Sequence, residues 1–344
     1  MRRRSVVLGG LWLAGCAPVV QRAGAPGAAF AGPRLEHDAL VSFDGVRLPM
    51  DVWPARSGAE PWAVIVGLHG FDDYAAAFTL PAPYWATRGV TTYAFDQRGF
   101  GRAPDRGVWG GEALMVGDLR TAVALVRARH PRAILAVVGE SMGGAVAICA
   151  AASPDPPAGV DRWVLASPAV WGWGAQPPLY ALALWATAHV TPGLRLQAPS
   201  FIARHIHASD NTEELMRMGR DPHMVFATRV DTTYGLVSLM QRAREDIGRV
   251  RDPRDTLYMY GAHDDLIPKG AARFAAASLA RAGGRTAWYP DGHHLLQRDL
   301  GRAKVLDDVL AFLRDPGAPL PSGAPPIAAG RGRPGAIARG AARG

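Results

Sequence analysis

Two spacings of apolar residues alternate along this chain: short unbroken runs rich in β-branched side chains, and longer stretches with helical periodicity. Such alternation is what a parallel sheet covered by helices requires. Runs of the first kind lie at Leu40–Phe43, Val46–Trp53, Trp62–Leu68, Thr91–Phe95, Ala133–Val138, Trp163–Ala166, Thr256–Tyr260 and Thr286–Tyr289, which predicts eight strands. Asp44-Gly45 between the first two supplies the positive φ of a tight hairpin. Helical stretches near Ala75–Arg88, Leu114–Arg129, Met142–Ala152, Ala271–Ala282 and Arg302–Leu313 fall between the other runs. The expected fold class is therefore α/β, with a mostly parallel eight-stranded sheet flanked by helices. About residues 168–250 the alternation stops, and Trp, Pro and helix-forming runs without strand signals replace it. That stretch reads as a helical cap inserted into the sheet domain. Its first helix, with Leu179, Leu182, Leu184, Trp185 and Val190, is apolar nearly all round, so protein, lipid or substrate should cover it.

The strand ending at Val138 runs into Gly139-Glu140-Ser141-Met142-Gly143-Gly144 and then a small-residue helix. A strand that reverses this sharply into a helix tolerates only tiny side chains two places before and after the serine. Ser141 thereby stands at the rim of the sheet. A serine hydroxyl barely ionises at neutral pH, so as a nucleophile it needs a base within reach and a carboxylate to orient that base. The last two strands end in Gly261-Ala262-His263-Asp264-Asp265-Leu266-Ile267-Pro268 and Pro290-Asp291-Gly292-His293-His294-Leu295-Leu296. Serine, aspartate and histidine thus each follow directly on a strand, in the chain order of a hydrolase triad. By residue type alone, Asp264 competes with Asp265 and Asp291, and His294 with His293.

These segments, together with His69-Gly70 and Asp96-Gln97-Arg98-Gly99-Phe100-Gly101, resemble the α/β-hydrolase superfamily, and within it the monoacylglycerol lipase and lysophospholipase-like branch. The resemblance runs from about Leu35 to Leu313. It implies Ser141 as nucleophile, His294 as general base and acid, and Asp264 as the orienting carboxylate. It also implies an oxyanion hole formed by the backbone N–H groups of Phe71 and Met142. The implied activity is hydrolysis of acylglycerol or lysophospholipid-like carboxylic esters, with no cofactor and no metal. Thioesterase, short-chain esterase and acyltransferase share the same acyl-enzyme, and a non-enzymatic envelope lipoprotein is the alternative from another class.

Charge and composition change the picture mainly at the ends. The chain of 344 residues has a formal charge of +8, but three of those charges are Arg2–Arg4 and four are Arg331, Arg333, Arg339 and Arg343. The middle is nearly neutral and lacks a basic stripe, which excludes a nucleic-acid partner for the folded part. Arg2–Arg4, the apolar run Val6–Ala14 and Leu13-Ala14-Gly15-Cys16 read as a signal peptide over residues 1–15. Small residues before a cysteine resemble the bacterial lipobox, which implies lipidation at Cys16 and a lipid-anchored place in the cell envelope. Residues 16–34 are expected to be a flexible tether, 35–315 the hydrolase domain, and 316–344, rich in Gly, Ala, Pro and Arg, a disordered tail. Cys149, among alanines, reads as a small buried hydrophobe, and Glu140 as a packed or solvated carboxylate without a role. His205 and His207 lack further ligands at metal spacing.

Overall fold

The computed structural model describes residues 17–28, 30–56, 58, 60–197 and 206–328. The expected signal peptide, Cys16, His205 and the last sixteen residues lie outside the described residues. A nine-stranded sheet forms the centre, in the order β1-β2-β3-β5-β4-β6-β7-β10-β11. Its strands are β1 (Arg34–Leu35), β2 (Ala39–Val41), β3 (Arg47–Trp53), β4 (Ala63–Leu68), β5 (Val90–Phe95), β6 (Ile134–Glu140), β7 (Arg162–Ala166), β10 (Thr256–Gly261) and β11 (Arg285–Tyr289). The first three pair antiparallel, and β5 onward pair parallel. All eight predicted strands are present. The ninth, β1, is a two-residue addition whose shortness left no pattern to read.

Helices α1 (Pro81–Ala86), α2 (Glu112–Arg129), α3 (Met142–Ala151), α7 (Lys269–Arg281) and α8 (Arg302–Arg314) surround the sheet. Because both faces are covered, β4, β5 and β10 are buried at every position. In β4, Val64, Val66 and Leu68 pack towards α2 and α3, while Ala63 and Ile65 pack towards α1 and α8. The helix expected at Ala75–Arg88 is instead a 3-10 turn at Ala75–Phe78 followed by α1. Pro81 and Pro83 restart the helix there, since proline fits the first turn and not a helix interior.

The cap lies between β7 and β10. It holds α4 (Pro178–Val190), α5 (Thr212–Arg220) and α6 (Val230–Asp246), with β8 (Arg195–Leu196) paired to β9 (Thr228–Arg229). This two-residue ladder was not expected from sequence, where no alternation that short is legible. Helix α6 packs on α3 behind the turn that carries Ser141. Helix α4 exposes Leu179, Leu182, Trp185 and Val190 and buries only Ala188, so among the described residues the chain itself does not cover that apolar face.

Both expected flexible ends are corrected where they are described. Val19 N–H donates to Asp231 Oδ2 at 3.1 Å, Gln21 N–H to Trp109 O at 2.8 Å and Gly24 N–H to Asp44 Oδ2 at 2.7 Å. Residues 17–28 therefore run along the body, because acceptors on the sheet domain and the cap satisfy their backbone donors. At the other end, residues 316–328 cover the exposed edge of the sheet. Trp288 N–H of the edge strand donates to Pro325 O at 2.8 Å, and Ile327 N–H donates to Thr286 Oγ1 at 3.0 Å. Leu320 and Ile327 are buried. A proline-rich strip suits an edge strand, since it offers carbonyl acceptors while presenting few donors of its own.

Candidate active site

Ser141 occupies the turn between β6 and α3 with φ 51° and ψ −113°, a left-handed conformation that side chains rarely adopt. The turn is locked from three sides. Ser141 N–H donates to Ala166 O at 3.0 Å, while Ser141 O accepts from Ala145 N–H at 3.1 Å and from Ala169 N–H at 2.9 Å. The glycine after it is a steric requirement: a Cβ on Gly143 would stand 2.2 Å from Leu68 O. That close approach to the end of β4 is what turns the serine outward over the rim.

Asp264 and His294 follow β10 and β11, so all three side chains stand at the carboxyl ends of parallel strands, on one rim. His294 Nδ1 is 2.8 Å from Asp264 Oδ2, and the other carboxylate oxygen, Oδ1, accepts the N–H groups of Leu266 and Ile267, each at 2.8 Å. With both oxygens committed, the carboxylate can only accept from His294 Nδ1–H. The tautomer follows: Nε2 is left as the basic nitrogen. The Asp and His loops run tightly side by side, since a Cβ on Gly261 would meet Gly292 O at 2.4 Å. Burial opposes a charged imidazolium at His294, but the charge and hydrogen bond of Asp264 outweigh it and hold its pKa above the ordinary value.

The rival residues point elsewhere. His293 donates its N–H to Asp299 Oδ2 at 2.8 Å, keeps Nδ1 at 3.5 Å from the same oxygen and stacks on His263. Asp265 faces the exposed His207, with Nδ1 3.5 Å from Oδ2, and Asp291 is exposed. Ser141 and His294 both open into one cavity of about 410 Å³, lined by Phe71, Trp171, Leu184, Leu236, Val237 and Met240 among others. Its wall is mostly apolar and combines the rim of the sheet with the cap.

Of the two expected oxyanion donors, Phe71 lines this cavity and Met142 directly follows Ser141. Met142 opens helix α3, whose first N–H groups have no acceptor within the helix. Phe71 is positioned by His69, a residue whose contribution the sequence left unread. His69 is fully buried; its Nδ1 lies 2.8 Å from Gly70 O, and its Nε2 accepts Gln97 N–H at 2.8 Å. A carbonyl on one nitrogen and an N–H on the other require the neutral ring protonated at Nδ1, and burial pushes its pKa down accordingly. Because the peptide is planar and trans, fixing Gly70 C=O on one side aims Phe71 N–H to the other.

Further charged groups surround the site. Glu140, expected to be a packed or solvated carboxylate without a role, is fully buried and ion-paired with Arg298. Burial raises its pKa against the pull of that arginine. Cys149 is buried as expected, and burial pushes its thiol pKa well up. Asp210, His293 and Asp299 bring donor atoms within 4.8 Å of one another, the only such group of possible metal ligands among the described residues. Asp299 is already engaged by Ser209 Oγ–H at 2.6 Å and His293 N–H.

Residues 59–301 match the family model described as serine aminopeptidase, S33. The chain belongs to this family. Among curated relatives, this S33 member is 27% identical to the monoacylglycerol lipase of Mycolicibacterium smegmatis over 290 residues, covering 81% of this chain and 97% of that one. It is 25% identical to the monoglyceride lipase of Rattus norvegicus over 268 residues, covering 76% and 84%. The fold is shared with the solved Paleococcus ferrophilus monoacylglycerol lipase, at a TM-score of 0.64 and 19% identity over 78% of this chain and 99% of that one. A soluble variant of the Saccharomyces cerevisiae monoglyceride lipase, solved with a substrate analogue, also has a TM-score of 0.64, at 18% identity over 85% and 98%. The S33 member is thus an α/β-hydrolase and a carboxylic ester hydrolase of the serine type.

Proposed function

We propose that Ser141, His294 and Asp264 are the catalytic triad of an esterase acting on acylglycerol or lysophospholipid-like esters. The single observation that carries this reading is that Ser141 and the Asp264-bound His294 open into the same apolar cavity. Ser141 Oγ attacks the acyl carbonyl carbon while its proton passes to His294 Nε2. The carbonyl electron pair moves onto oxygen, where the Phe71 and Met142 N–H groups stabilise it; losing one such donor costs about 10²–10³ in rate. Collapse breaks the bond to the leaving alcohol, which takes the proton from His294. Water then repeats the sequence on the acyl-enzyme and releases the fatty acid. Asp264 stabilises the imidazolium that forms at each attack.

An apolar wall supports an acyl chain as the recognised group. The names of the two curated relatives support a glycerol ester as its carrier. The N-terminal sequence supports attachment through a diacylglyceryl group at Cys16, in the envelope of a bacterium, beside lipid substrate. A fluorophosphonate probe should label the wild type and not Ser141→Ala; equal labelling of the two overturns the triad. Among monoacylglycerols, lysophospholipids, short p-nitrophenyl esters and thioesters, medium or long acylglycerols and lysophospholipids should turn over best. Preference for two- to four-carbon acyl groups, or for thioesters, overturns the lipid assignment. Cells fed labelled palmitate should label the protein but not its Cys16→Ser form, and label retained by that form overturns the anchor.

A further inference from the structure

Arg298 lies four residues after His294 and is completely buried. Its Nη2 donates to both Asp73 Oδ2 and Glu140 Oε1, and its Nη1 sits 3.6 Å from Glu214 Oε1 and 3.4 Å from Met218 Sδ. Each carboxylate belongs to a different part of the site. Glu140 immediately precedes Ser141, Asp73 stands two residues beyond Phe71, and Glu214 is on cap helix α5. One guanidinium therefore joins the nucleophile turn, the oxyanion loop and the cap.

The same loop is gripped from the other side. Thr228 Oγ1–H donates to Asp72 Oδ2 at 2.6 Å, Val225 N–H donates to Asp72 O at 3.0 Å, and Asp72 itself is left-handed at φ 60°. The segment carrying Phe71 is thus held before it by the His69–Gly70 contact and after it by the Asp73–Arg298 pair. Buried carboxylates repel one another strongly where water cannot screen them. Without Arg298, Asp73 and Glu140 would face each other uncompensated and drive the two halves of the oxyanion hole apart.

We propose that Arg298 is a positioning residue that sets the spacing between the Phe71 and Met142 N–H groups and couples it, through Glu214, to the seating of the cap. The inference rests on the triad reading above. The charged and titratable groups facing this centre are Asp73 and His69 from the β4 loop, Glu140 from the nucleophile turn, and His294 and its partner Asp264. From the cap they are Glu214 and Arg217, the latter paired to Glu214 at 2.7 Å.

The test uses the full chain and compares Arg298→Met, Arg298→Lys, Glu140→Gln and the double variant Glu140→Gln/Arg298→Met. Fluorophosphonate labelling of the wild type is the control: no labelling overturns the triad, and this inference with it. With the wild type labelled, Arg298→Met should lose about 100-fold in kcat and in labelling rate, the worth of one oxyanion donor, with KM little changed. Its acid limb in the kcat/KM profile should move to higher pH, because a cation near His294 is gone while Glu140 remains. Adding Glu140→Gln should recover about tenfold and bring the limb back, since it removes one of the two opposed charges. Arg298→Lys should fall between, as an ammonium keeps the charge without the fork. A folded Arg298→Met with wild-type labelling and an unmoved limb overturns the proposal. Should Arg298→Met fail to fold, Arg298→Lys decides: it should still lose kcat and labelling rate with KM little changed, and wild-type labelling by a folded Arg298→Lys overturns the proposal.

Discussion

Replacing Asp264 by asparagine alters one atom and should reverse the chemistry of His294. Asp264 Oδ1 accepts two backbone N–H groups, from Leu266 and Ile267, each at 2.8 Å. An asparagine must keep its carbonyl oxygen there, because turning its NH₂ towards two donors would leave both unpaired in a buried site. The NH₂ then faces His294 Nδ1, where the carboxylate oxygen stood at 2.8 Å. Two donors cannot share that contact, so the imidazole moves its proton to Nε2 and presents an N–H to Ser141 instead of a lone pair. A wrong histidine tautomer in a Ser-His-Asp site costs about 10⁴ in kcat. At about 1.4 kcal/mol per decade this is roughly 5.5 kcal/mol of transition-state stabilisation. Steady-state hydrolysis of a p-nitrophenyl ester measures it, alongside the fluorophosphonate rate constant, which should fall in parallel. KM should change little, since the carboxylate does not touch the acyl chain, and thermal denaturation should confirm a folded variant. A folded Asp264→Asn protein that keeps kcat within about tenfold of wild type would refute the tautomer argument.

Three other outcomes are expected. Gly143→Ala places a methyl group 2.2 Å from Leu68 O, so it should destabilise the fold by about 1–3 kcal/mol through overpacking and lower esterase activity, as denaturant melts and kinetics would record. Because the proposed mechanism needs neutral His294 and Asp264 holds its pKa above the ordinary histidine value, the acid limb of kcat/KM should lie at higher pH than an ordinary histidine would give. The same raised pKa stabilises the folded state fully below the unfolded value, and that contribution is lost as pH rises through the folded value. Ending the chain at Asp315 uncovers the β11 edge and removes the buried Leu320 and Ile327, each worth about 1.5–3 kcal/mol. The truncated protein should melt earlier and aggregate, which light scattering during a thermal ramp would detect.

The parts of the site that were legible in the sequence are those whose local chain geometry demands particular residues. Gly143 must be small because β4 lies against it, and Asp264 and His294 stand where strands end, so motif and spacing marked all three regions. The central strands were equally legible, since burial on both faces leaves unbroken apolar runs such as Ala63–Leu68. Arg298 and His69 escaped for the opposite reason. What Arg298 does depends on partners up to 225 positions distant, as in its Asp73 contact, and what His69 does depends on Gln97 on the neighbouring strand's loop; no local pattern distinguishes such a buried residue from a solvated one. Where they are described, the two ends were misread on composition. Gly, Ala and Pro mark segments unable to build a core of their own, but residues 17–28 and 316–328 lie on a core and a sheet edge that the rest of the chain supplies.

The proposed chemistry is tested most directly by trapping the covalent intermediate. Rapid mixing with a long-chain monoacylglycerol, acid quenching and peptide mass spectrometry should find the acyl group on the peptide containing Ser141, with no adduct and no turnover in Ser141→Ala. An acyl group on another residue, or hydrolysis by Ser141→Ala at the wild-type rate, would contradict it.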